Sequence, residues 1–238
     1  AGIHRRLEIL RALGVETGHT ILDIGCGGGH LLEELAMAVG QSGRVLGLDP
    51  SESQLASATK RCTNFNNVEL LCCPAEDTNL ADNFLDSATS TQTLEYIKDV
   101  DAALHELVRL LKPRAKFVNV SILWDHFKFH GPEKKLNDQI HEAFRAHCFH
   151  QMLPIELNAK LDNLGFRDIK LKELSFIVTK RHHNSPAIFS EKVIAQFAIS
   201  QGISKEDVAD WRAQLATAEK NGRFGFTSFP VLTEANLN

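Results

Sequence analysis

The chain has 238 residues, of which 43% are hydrophobic and 24% are charged, a balance typical of a globular protein that buries a full core. Its formal net charge of −4 does not favour broad binding of nucleic acid, so we expect no nucleic-acid partner. No apolar run approaches the ~20 residues that span a bilayer, and the N-terminus has no signal-peptide pattern, so we expect no membrane partner.

Strand-like and helical patterns alternate in the first half of the chain. Five runs predict strands, namely Thr20–Ile24, Val45–Asp49, Val68–Cys73, Leu85–Ser90 and Lys116–Ser121. The clearest helical pattern is Asp101–Leu111, with Asp101 as its N-cap and Lys112-Pro113 after its end. This alternation predicts a parallel sheet with covered faces, in which the carboxyl ends of the strands lie along one edge.

The second half of the chain departs from this alternation. Residues 124–150 are rich in aromatic side chains and histidine, and their pattern is helical from about Pro132. Further on, the pattern predicts helices over Ile155–Leu164, Ser190–Ser200 and Lys205–Asn221, and strands over Ile169–Thr179 and Phe224–Leu232. Since no repeat or low-complexity linker interrupts the chain, we predict one domain whose late helical insertion lies over the ligand edge.

A glycine-rich run follows the first predicted strand. It reads Asp23-Ile24-Gly25-Cys26-Gly27-Gly28-Gly29-His30 and leads into a helical pattern. Glycine has no Cβ and tolerates positive φ, so such a turn lets backbone approach a bound nucleotide-like ligand. A dinucleotide fingerprint requires a further glycine where this chain has His30. The run therefore predicts an adenosine-containing cofactor, and a nicotinamide dinucleotide fits it less well.

Asp49 ends the second predicted strand. A carboxylate at this position accepts hydrogen bonds from the two hydroxyls of a ribose. It could instead cap the next helix, but Ser51 and Gln54 have the spacing of a capping box and make that role redundant. A dehydrogenase would carry the same acid, so Asp49 predicts ribose binding without identifying the cofactor.

Three further motifs follow in order. They are Cys73-Pro74-Ala75-Glu76-Asp77 after the third strand, the run Asp86–Tyr96 through the fourth, and Lys112-Pro113 before the fifth. Together with Asp23-x-Gly25-x-Gly27-x-Gly29, they resemble the motifs of class I S-adenosylmethionine-dependent methyltransferases. The resemblance covers essentially the whole chain and is strongest over Ile21–Ser121. The stretch from Gly202 to Thr233 resembles the UbiE-like (methyltransferase type 11) small-molecule branch.

This resemblance implies an α/β, Rossmann-like fold with a seven-stranded, mostly parallel sheet, helices on both faces, an antiparallel last strand and a helical lid. Residues 1–121 would form the cofactor-binding half and residues 122–238 the acceptor-binding half of a single domain. The cofactor would be S-adenosylmethionine, whose methyl group moves in line to a small-molecule acceptor and leaves S-adenosylhomocysteine. The residues implied around the cofactor are Asp23, Gly25, Cys26, Gly27, Gly29, Asp49, Pro50, Ala75, Glu76, Ser90 and Thr91.

One position departs from the family pattern. Pro74 replaces the aspartate that usually takes the adenine amino group, and proline has neither a side-chain acceptor nor a backbone donor. Adenine recognition would then rest on the Ala75 amide, with Glu76 or Asp77 as the acceptor.

The acceptor side is indicated less strongly. Methyl transfer needs alignment and exclusion of water, and a general base only where the acceptor must lose a proton. We single out Tyr96, His126 and His130 as catalytic candidates, and the two histidines would share a face if they lay on one helix. The other residues expected to line the acceptor pocket are Trp124, Phe127 and Phe129.

The histidines and cysteines raise the question of a metal. The histidine spacings suit ligands on helices, and the pair Cys72-Cys73 could hold a soft metal, but no HExxH or Cys-His signature is present. We therefore predict no metal. The five cysteines follow no disulfide spacing, which favours a reducing cytoplasm.

Three other functions stay open, as does a homodimer. They are an RNA or protein methyltransferase, a nicotinamide-dependent dehydrogenase, and a cofactor-binding protein that has lost transfer. The sequence names neither the acceptor nor the atom methylated, and it leaves open whether the helix predicted over Ile3–Leu13 closes over the site.

Overall fold

The strands predicted in the first half of the chain form a parallel sheet in the computed structural model, which describes residues 2–238. The elements up to residue 122 are, in chain order, α1 (Gly2–Leu13), β1 (Thr20–Ile24), α2 (His30–Val39), β2 (Arg44–Leu48), α3 (Glu52–Arg61), β3 (Val68–Leu71), β4 (Leu85–Thr91), α4 (Val100–Leu110) and β5 (Leu111–Ile122). Parallel pairing joins β1 to β2, β1 to β4, β2 to β3 and β4 to β5.

The rest of the chain completes this sheet and adds a second one. Its elements are β6 (Lys128–His130), α5 (Lys134–Arg145), α6 (Leu153–Asn163), β7 (Phe166–Glu173), β8 (Phe176–Val178), α7 (Pro186–Ser200), α8 (Lys205–Lys220), β9 (Gly225–Ser228) and β10 (Pro230–Leu237). The larger sheet has seven strands in the order β3-β2-β1-β4-β5-β10-β7. The last strand in the chain, β10, runs antiparallel. The predicted Rossmann-like sheet is thus confirmed.

The described residues divide into two compact units. The first unit runs to Ser121 and also takes Leu153–Lys172 and Val231–Asn238, whereas the second comprises Ile122–Met152 and Glu173–Pro230. The single domain with halves meeting at residue 121 stays a prediction, and each unit is described by itself. Within residues 2–238, no helix has both the length and the apolar character needed to cross a bilayer.

Local capping explains where two helices begin. Ser51 Oγ accepts from the Gln54 N–H at 3.4 Å, as the capping-box spacing predicts for α3. The cap predicted for α4 is wrong. Asp99 Oδ1 accepts from the Ala102 N–H at 3.0 Å, so the helix begins at Val100 and Asp101 lies in its first turn. Two aspartates two residues apart offered the same capping chemistry, and the sequence pattern favoured the wrong one.

One face of the large sheet packs against α4 and α6. The sheet contributes fully buried side chains from four neighbouring strands, namely Leu22, Leu46, Ala88 and Phe117. The stripe of α4 that meets them includes Leu104 and Leu107. Burying one leucine or phenylalanine side chain is worth roughly 1.5–3 kcal/mol. This packing holds the carboxyl ends of the strands in a fixed register, and the candidate site is built on those ends.

The second unit is built around the sheet β6-β9-β8, which is antiparallel and covered by α5, α7 and α8. Its core centres on the fully buried Trp211. The indole Nε1 donates to Asn137 Oδ1 at 2.8 Å, and Asn137 Nδ2 donates to the Phe129 carbonyl at 2.8 Å. A buried indole and a buried amide are therefore both satisfied, and they tie α8 and α5 to β6.

Two long strands predicted in the second half are each two strands. The run Ile169–Thr179 divides into β7 and β8, and Phe224–Leu232 divides into β9 and β10. In both cases one part joins the seven-stranded sheet and the other joins the three-stranded sheet. Period-two alternation continues across such a change of sheet, so the sequence pattern does not show it. Pro230, which has no N–H to donate, marks the second break.

Candidate cofactor site

The predicted cofactor residues gather at one edge of the seven-stranded sheet. Ile24 lies in register with Leu48 on one side and Ser90 on the other, so β1, β2 and β4 end together. The glycine-rich turn follows β1, Asp49 follows β2, and Gln92 follows β4. In a parallel α/β sheet, the crevice outside these carboxyl ends is where ligands bind.

The glycines of the turn serve different purposes. Gly25 and Gly29 have φ of 71° and 79°, and a Cβ would lie 2.0 Å from Thr93 Oγ1 at Gly25 and 3.0 Å from the Ala58 Cα at Gly29. Both glycines are required by packing. Gly27 has φ of 52°, yet the nearest atom to its Cβ position is the end of the Gln54 side chain at 3.9 Å. A Cβ at Gly27 would therefore make only an ordinary contact with the end of one flexible side chain, and the turn is open enough here for a ligand to approach its backbone.

Asp49 connects the turn to α3. Its side chain is 9% exposed, with Oδ2 accepting from the Gly27 N–H and Oδ1 from the Ser51 N–H, both at 2.9 Å. Each carboxylate oxygen has a further lone pair, so both remain able to accept from a ribose hydroxyl. The sequence predicted the ribose contact only, and the structure adds that Asp49 holds the turn itself.

Asp23 is a buried acid beside the same turn. The residue is 2% exposed, and burial together with the nearby charge of Asp49 raises its pKa to about 8. Neither cause is a hydrogen bond or a cation of the chain. A carboxyl group in this situation is stabilised in its charged form by a cationic ligand. The cofactor implied by the resemblance carries an ammonium group, so Asp23 fits that group.

Hydroxyl groups on β4 lack partners. Ser90 Oγ, Thr91 Oγ1 and Thr89 Oγ1 are buried and have no hydrogen-bond partner among the described residues. Thr89 lies in register with Asp23 and was not singled out from the sequence. Buried polar groups are normally satisfied, so these hydroxyls indicate a ligand or ordered water at the end of β4.

The segment after β3 is anchored independently of any ligand. Thr78 donates through its N–H and its hydroxyl to Glu106 Oε1, at 2.9 and 2.6 Å. The Arg109 guanidinium bonds to the same carboxylate and lowers the pKa of Glu106 to about 2. This anchor fixes a loop in which Ala75 is buried and Pro74 exposed. The adenine contact through Ala75 and Glu76 stays a prediction.

Two remaining predicted residues flank the turn. Cys26 is 8% exposed, and burial followed by the charges of Asp23 and Asp49 raises the pKa of its thiol. The thiol is therefore kept neutral and contributes no nucleophile. Pro50 is exposed, directly after Asp49. Cys26 thus lies next to Gly25 and Gly27 of the turn, and Pro50 lies next to Asp49.

The catalytic candidates belong to different units. Tyr96 is 40% exposed and ends the short 3-10 helix Leu94–Tyr96 of the first unit. His126 ends the 3-10 helix Trp124–His126, and His130 ends β6, both in the second unit. The two histidines do not share a helix face, because His126 lies in the 3-10 helix and His130 lies in β6. Phe129, expected at the pocket, is instead fully buried in the core of the second unit.

A cavity of about 200 Å³ opens within the second unit. Trp124 and Phe127, both predicted to contact the acceptor, form part of its wall, and the other lining residues are Asp125, Lys128, Asp138, His141, Glu142, Phe144, Arg145 and Gln151. His141 was missed. Its Nε2 accepts from the Phe129 N–H at 3.1 Å, and burial lowers its pKa to about 4, so the neutral ring carries its proton on Nδ1. No sequence signal distinguished it from the other histidines.

The described residues hold no cluster of three or more histidine, cysteine or acidic side chains suited to a metal ion. All five cysteines are free. The reducing cytoplasm stays a prediction.

Gly27→Ala is expected to weaken binding of S-adenosylhomocysteine, because its Cβ would occupy room beside the turn, while lowering stability by only about 1–2 kcal/mol, the cost of a Cβ at positive φ. The matched control is Gly222→Ala, since Gly222 has φ of 68° and no atom within 4 Å of its Cβ position. Calorimetric titration and thermal unfolding of both variants provide the comparison. Equal ligand affinity in the two variants would show that the open space beside Gly27 is not a binding site.

Comparison with known proteins agrees with this geometry. Residues 22–119 match the family described as methyltransferase domain. The chain is 30% identical over 165 residues to the ubiquinone/menaquinone biosynthesis C-methyltransferase UbiE of Klebsiella pneumoniae, covering 67% of this chain and 62% of that protein. It is 36% identical over 108 residues to the demethylmenaquinone methyltransferase of Staphylococcus carnosus, covering 45% of each. The chain thus spans less than two thirds of the length of either relative.

A solved structure resembles the chain over nearly its full length. The YcgJ protein from Bacillus subtilis superposes with a TM-score of 0.70, covering 99% of this chain and 98% of that one. The two sequences are 16% identical, so the likeness concerns the fold alone.

Proposed function

We propose that this chain is a class I S-adenosylmethionine-dependent methyltransferase that acts on a small-molecule acceptor, because residues 22–119 match the family described as methyltransferase domain. The bound cofactor supplies the methyl group on a sulfonium sulfur. In the in-line transfer, the acceptor atom forms a bond to the methyl carbon as the electron pair of the breaking bond goes to sulfur, and S-adenosylhomocysteine leaves. The single observation that carries the proposal is the edge of the sheet where the acids Asp23 and Asp49 meet the positive-φ turn at Gly27.

Each of these residues has a defined task in the proposal. Asp49 accepts from the ribose hydroxyls while its other lone pairs keep the turn in place. Asp23 holds the ammonium group, and the backbone at Gly27 lies against the ligand because no side chain intervenes. The other residues that we propose around the cofactor are Gly25, Cys26, Gly29, Pro50, Ala75, Glu76, Ser90 and Thr91.

A small molecule is the acceptor class that we propose. The curated relatives are named for methyl transfer in ubiquinone and menaquinone biosynthesis, which favours a small acceptor over RNA or protein. The net charge of −4 also disfavours nucleic acid. The aromatic side chains of Trp124 and Phe127, which we propose to contact the acceptor, suit a partly apolar molecule. Tyr96, His126 and His130 remain our candidates for orienting the acceptor or taking its proton.

Ligand-induced stabilisation provides the first test. S-adenosylhomocysteine is expected to raise the melting temperature of the purified chain, and NAD is expected to leave it unchanged. A rise with NAD but none with S-adenosylhomocysteine would replace the methyltransferase by a dehydrogenase.

Transfer itself is tested with a methyl-labelled donor. The acceptors are thiols, amines, phenols and quinol precursors, with total RNA and a protein mixture as the polymer arms. Label in a small molecule supports the proposal, whereas label confined to RNA or protein overturns the acceptor class.

A further inference from the structure

Arg5 lies on α1 and reaches the end of β4. Its Nη1 donates to the side-chain Oε1 of Gln92, the first residue after the strand. Gln92 has φ of 51°, and its N–H donates to the Val120 carbonyl at 2.7 Å. A non-glycine residue in this region of φ is sterically disfavoured and is retained where the surroundings impose it. Gln92 therefore holds the Arg5 guanidinium at the carboxyl edge of the sheet.

Arg5 differs from the other arginines of α1 in its partners. Arg6 pairs with Glu34 at 2.7 Å and Arg11 pairs with Glu8 at 3.1 Å, whereas Arg5 bonds to the side-chain amide of Gln92. Burial lowers the pKa of Arg5, and the attraction of the buried Glu95 offsets this only in part. A guanidinium has five N–H donors, so the one bond to Gln92 leaves Arg5 the capacity to bind a further acceptor.

The place where Arg5 is held adjoins the glycine-rich turn. Thr93, next to Gln92, donates from its hydroxyl to the carbonyl of Gly25 at 3.5 Å. A Cβ on Gly25 would overlap the Thr93 side chain, so the turn and the end of β4 are in direct contact. The amino-acid part of the proposed cofactor carries an ammonium and a carboxylate. Asp23 suits the ammonium, and a guanidinium on the same side of the site suits the carboxylate, to which it can donate two parallel hydrogen bonds.

One other cation of the first unit reaches the turn. Arg61 donates from Nε to the Gly28 carbonyl at 2.8 Å, and its Nη1 lies 3.5 Å from Glu33. Its charge is therefore already met by a carboxylate. Arg5 bonds to the amide of Gln92 and is attracted by the buried Glu95, and the bond to Gln92 uses one of its five N–H donors.

We propose that Arg5 binds the carboxylate of the cofactor's amino-acid part, with Gln92 holding the guanidinium in place. This inference rests on the proposed function, because it assigns a residue to the same cofactor. It also gives α1 a role at the site, since this helix carries Arg5, which would bind the cofactor.

The test compares two ligands across two variants by calorimetric titration. The ligands are S-adenosylhomocysteine and its analogue that lacks only the carboxyl group, and the variants are Arg5→Gln and the matched control Arg6→Gln. Arg5→Gln is expected to weaken S-adenosylhomocysteine by about 10–100-fold, the range for a charge-assisted hydrogen bond, and to leave the analogue within about twofold. Arg6→Gln is expected to leave both affinities within about twofold.

Three results would overturn the assignment or the function beneath it. Loss of affinity for both ligands alike in Arg5→Gln would mean that Arg5 supports the structure of the site without touching the carboxylate. Unchanged affinity for S-adenosylhomocysteine would remove Arg5 from the site. If the unmodified chain binds neither ligand, the proposed function itself fails. Arg5→Lys keeps the charge and provides the comparison should the glutamine variant not fold, with the same selective but smaller loss expected.

Discussion

Replacing Asp49 by alanine is expected to weaken binding of S-adenosylhomocysteine by about 100-fold or more, the largest effect at this site. Two hydroxyl-to-carboxylate hydrogen bonds are lost, and each is worth about 1.5–3 kcal/mol because the acceptor is charged. The Gly27 and Ser51 N–H groups lose their acceptor in the same substitution. Part of the loss therefore comes from a less ordered turn.

A second variant separates ribose binding from the ordering of the start of α3. Ser51→Ala removes the N-cap of α3, and we expect it to cost about 1 kcal/mol of stability with unchanged ligand affinity. Affinity is measured by calorimetric titration and stability by thermal unfolding. If Asp49→Ala binds as tightly as the unmodified chain, Asp49 does not contact the ribose. If Ser51→Ala weakens binding as strongly, the effect of Asp49 is explained by disorder at the start of α3.

Replacing Asp23 by asparagine is expected to stabilise the ligand-free protein at pH 7 while weakening the ligand. The pKa of Asp23 is about 8 in the folded chain, against an ordinary value of 3.8. An acid with a raised folded-state pKa binds its proton more tightly when folded, so its contribution to stability falls as the pH rises from about 4 to about 8. Asparagine cannot ionise, so this pH dependence disappears in the variant. Each 1 kcal/mol gained raises the melting temperature by about 2–4 °C.

Ligand binding has the opposite dependence on pH. An ammonium group beside Asp23 favours the carboxylate, so binding releases a proton below about pH 8 and affinity rises by up to about tenfold per pH unit toward that value. Calorimetry in buffers of different ionisation enthalpy measures the released proton. The same proton release from Asp23→Asn would rule out Asp23 as its source.

Asp86 provides the matched control for Asp23. Burial opposes its ionisation, but its bonds to Lys112 at 2.6 Å and to the Thr20 N–H at 2.8 Å hold its pKa below the ordinary value. Its contribution to stability is present at neutral pH and is lost as the pH falls below about 4. Asp86→Asn is therefore expected to destabilise the chain and to leave ligand affinity unchanged, whereas Asp23→Asn stabilises the chain and weakens ligand binding.

Much of the cofactor edge was predictable because its signals are local. The strand Thr20–Ile24 was predicted with its observed bounds, and Ser51 caps α3 as its spacing to Gln54 indicates. Positive φ at Gly25, Gly27 and Gly29 follows from a strand that turns at once into a helix. Neighbouring residues in the chain carry all of these features, so a linear pattern is enough to show them.

The errors share a different origin. His126 and His130 are four residues apart and would share a face on a helix, but His126 lies in a 3-10 helix and His130 in β6. The strand patterns after residue 166 continued through changes of sheet that depend on distant partners. Asp99 and Asp101 were equivalent as caps until the first turn of α4 was placed. Contacts over long stretches of chain decide each of these cases.

The sequence by itself determined the fold class, the glycine-rich turn and the acid that follows β2, because spacing along the chain encodes strand ends and their turns. Only the tertiary structure decided what surrounds them. The burial that raises the pKa of Asp23, the unpartnered hydroxyls at the end of β4 and the guanidinium held by Gln92 arise where segments distant in sequence meet. Burial and pairing of charge depend on three-dimensional neighbours, and no linear pattern specifies those neighbours.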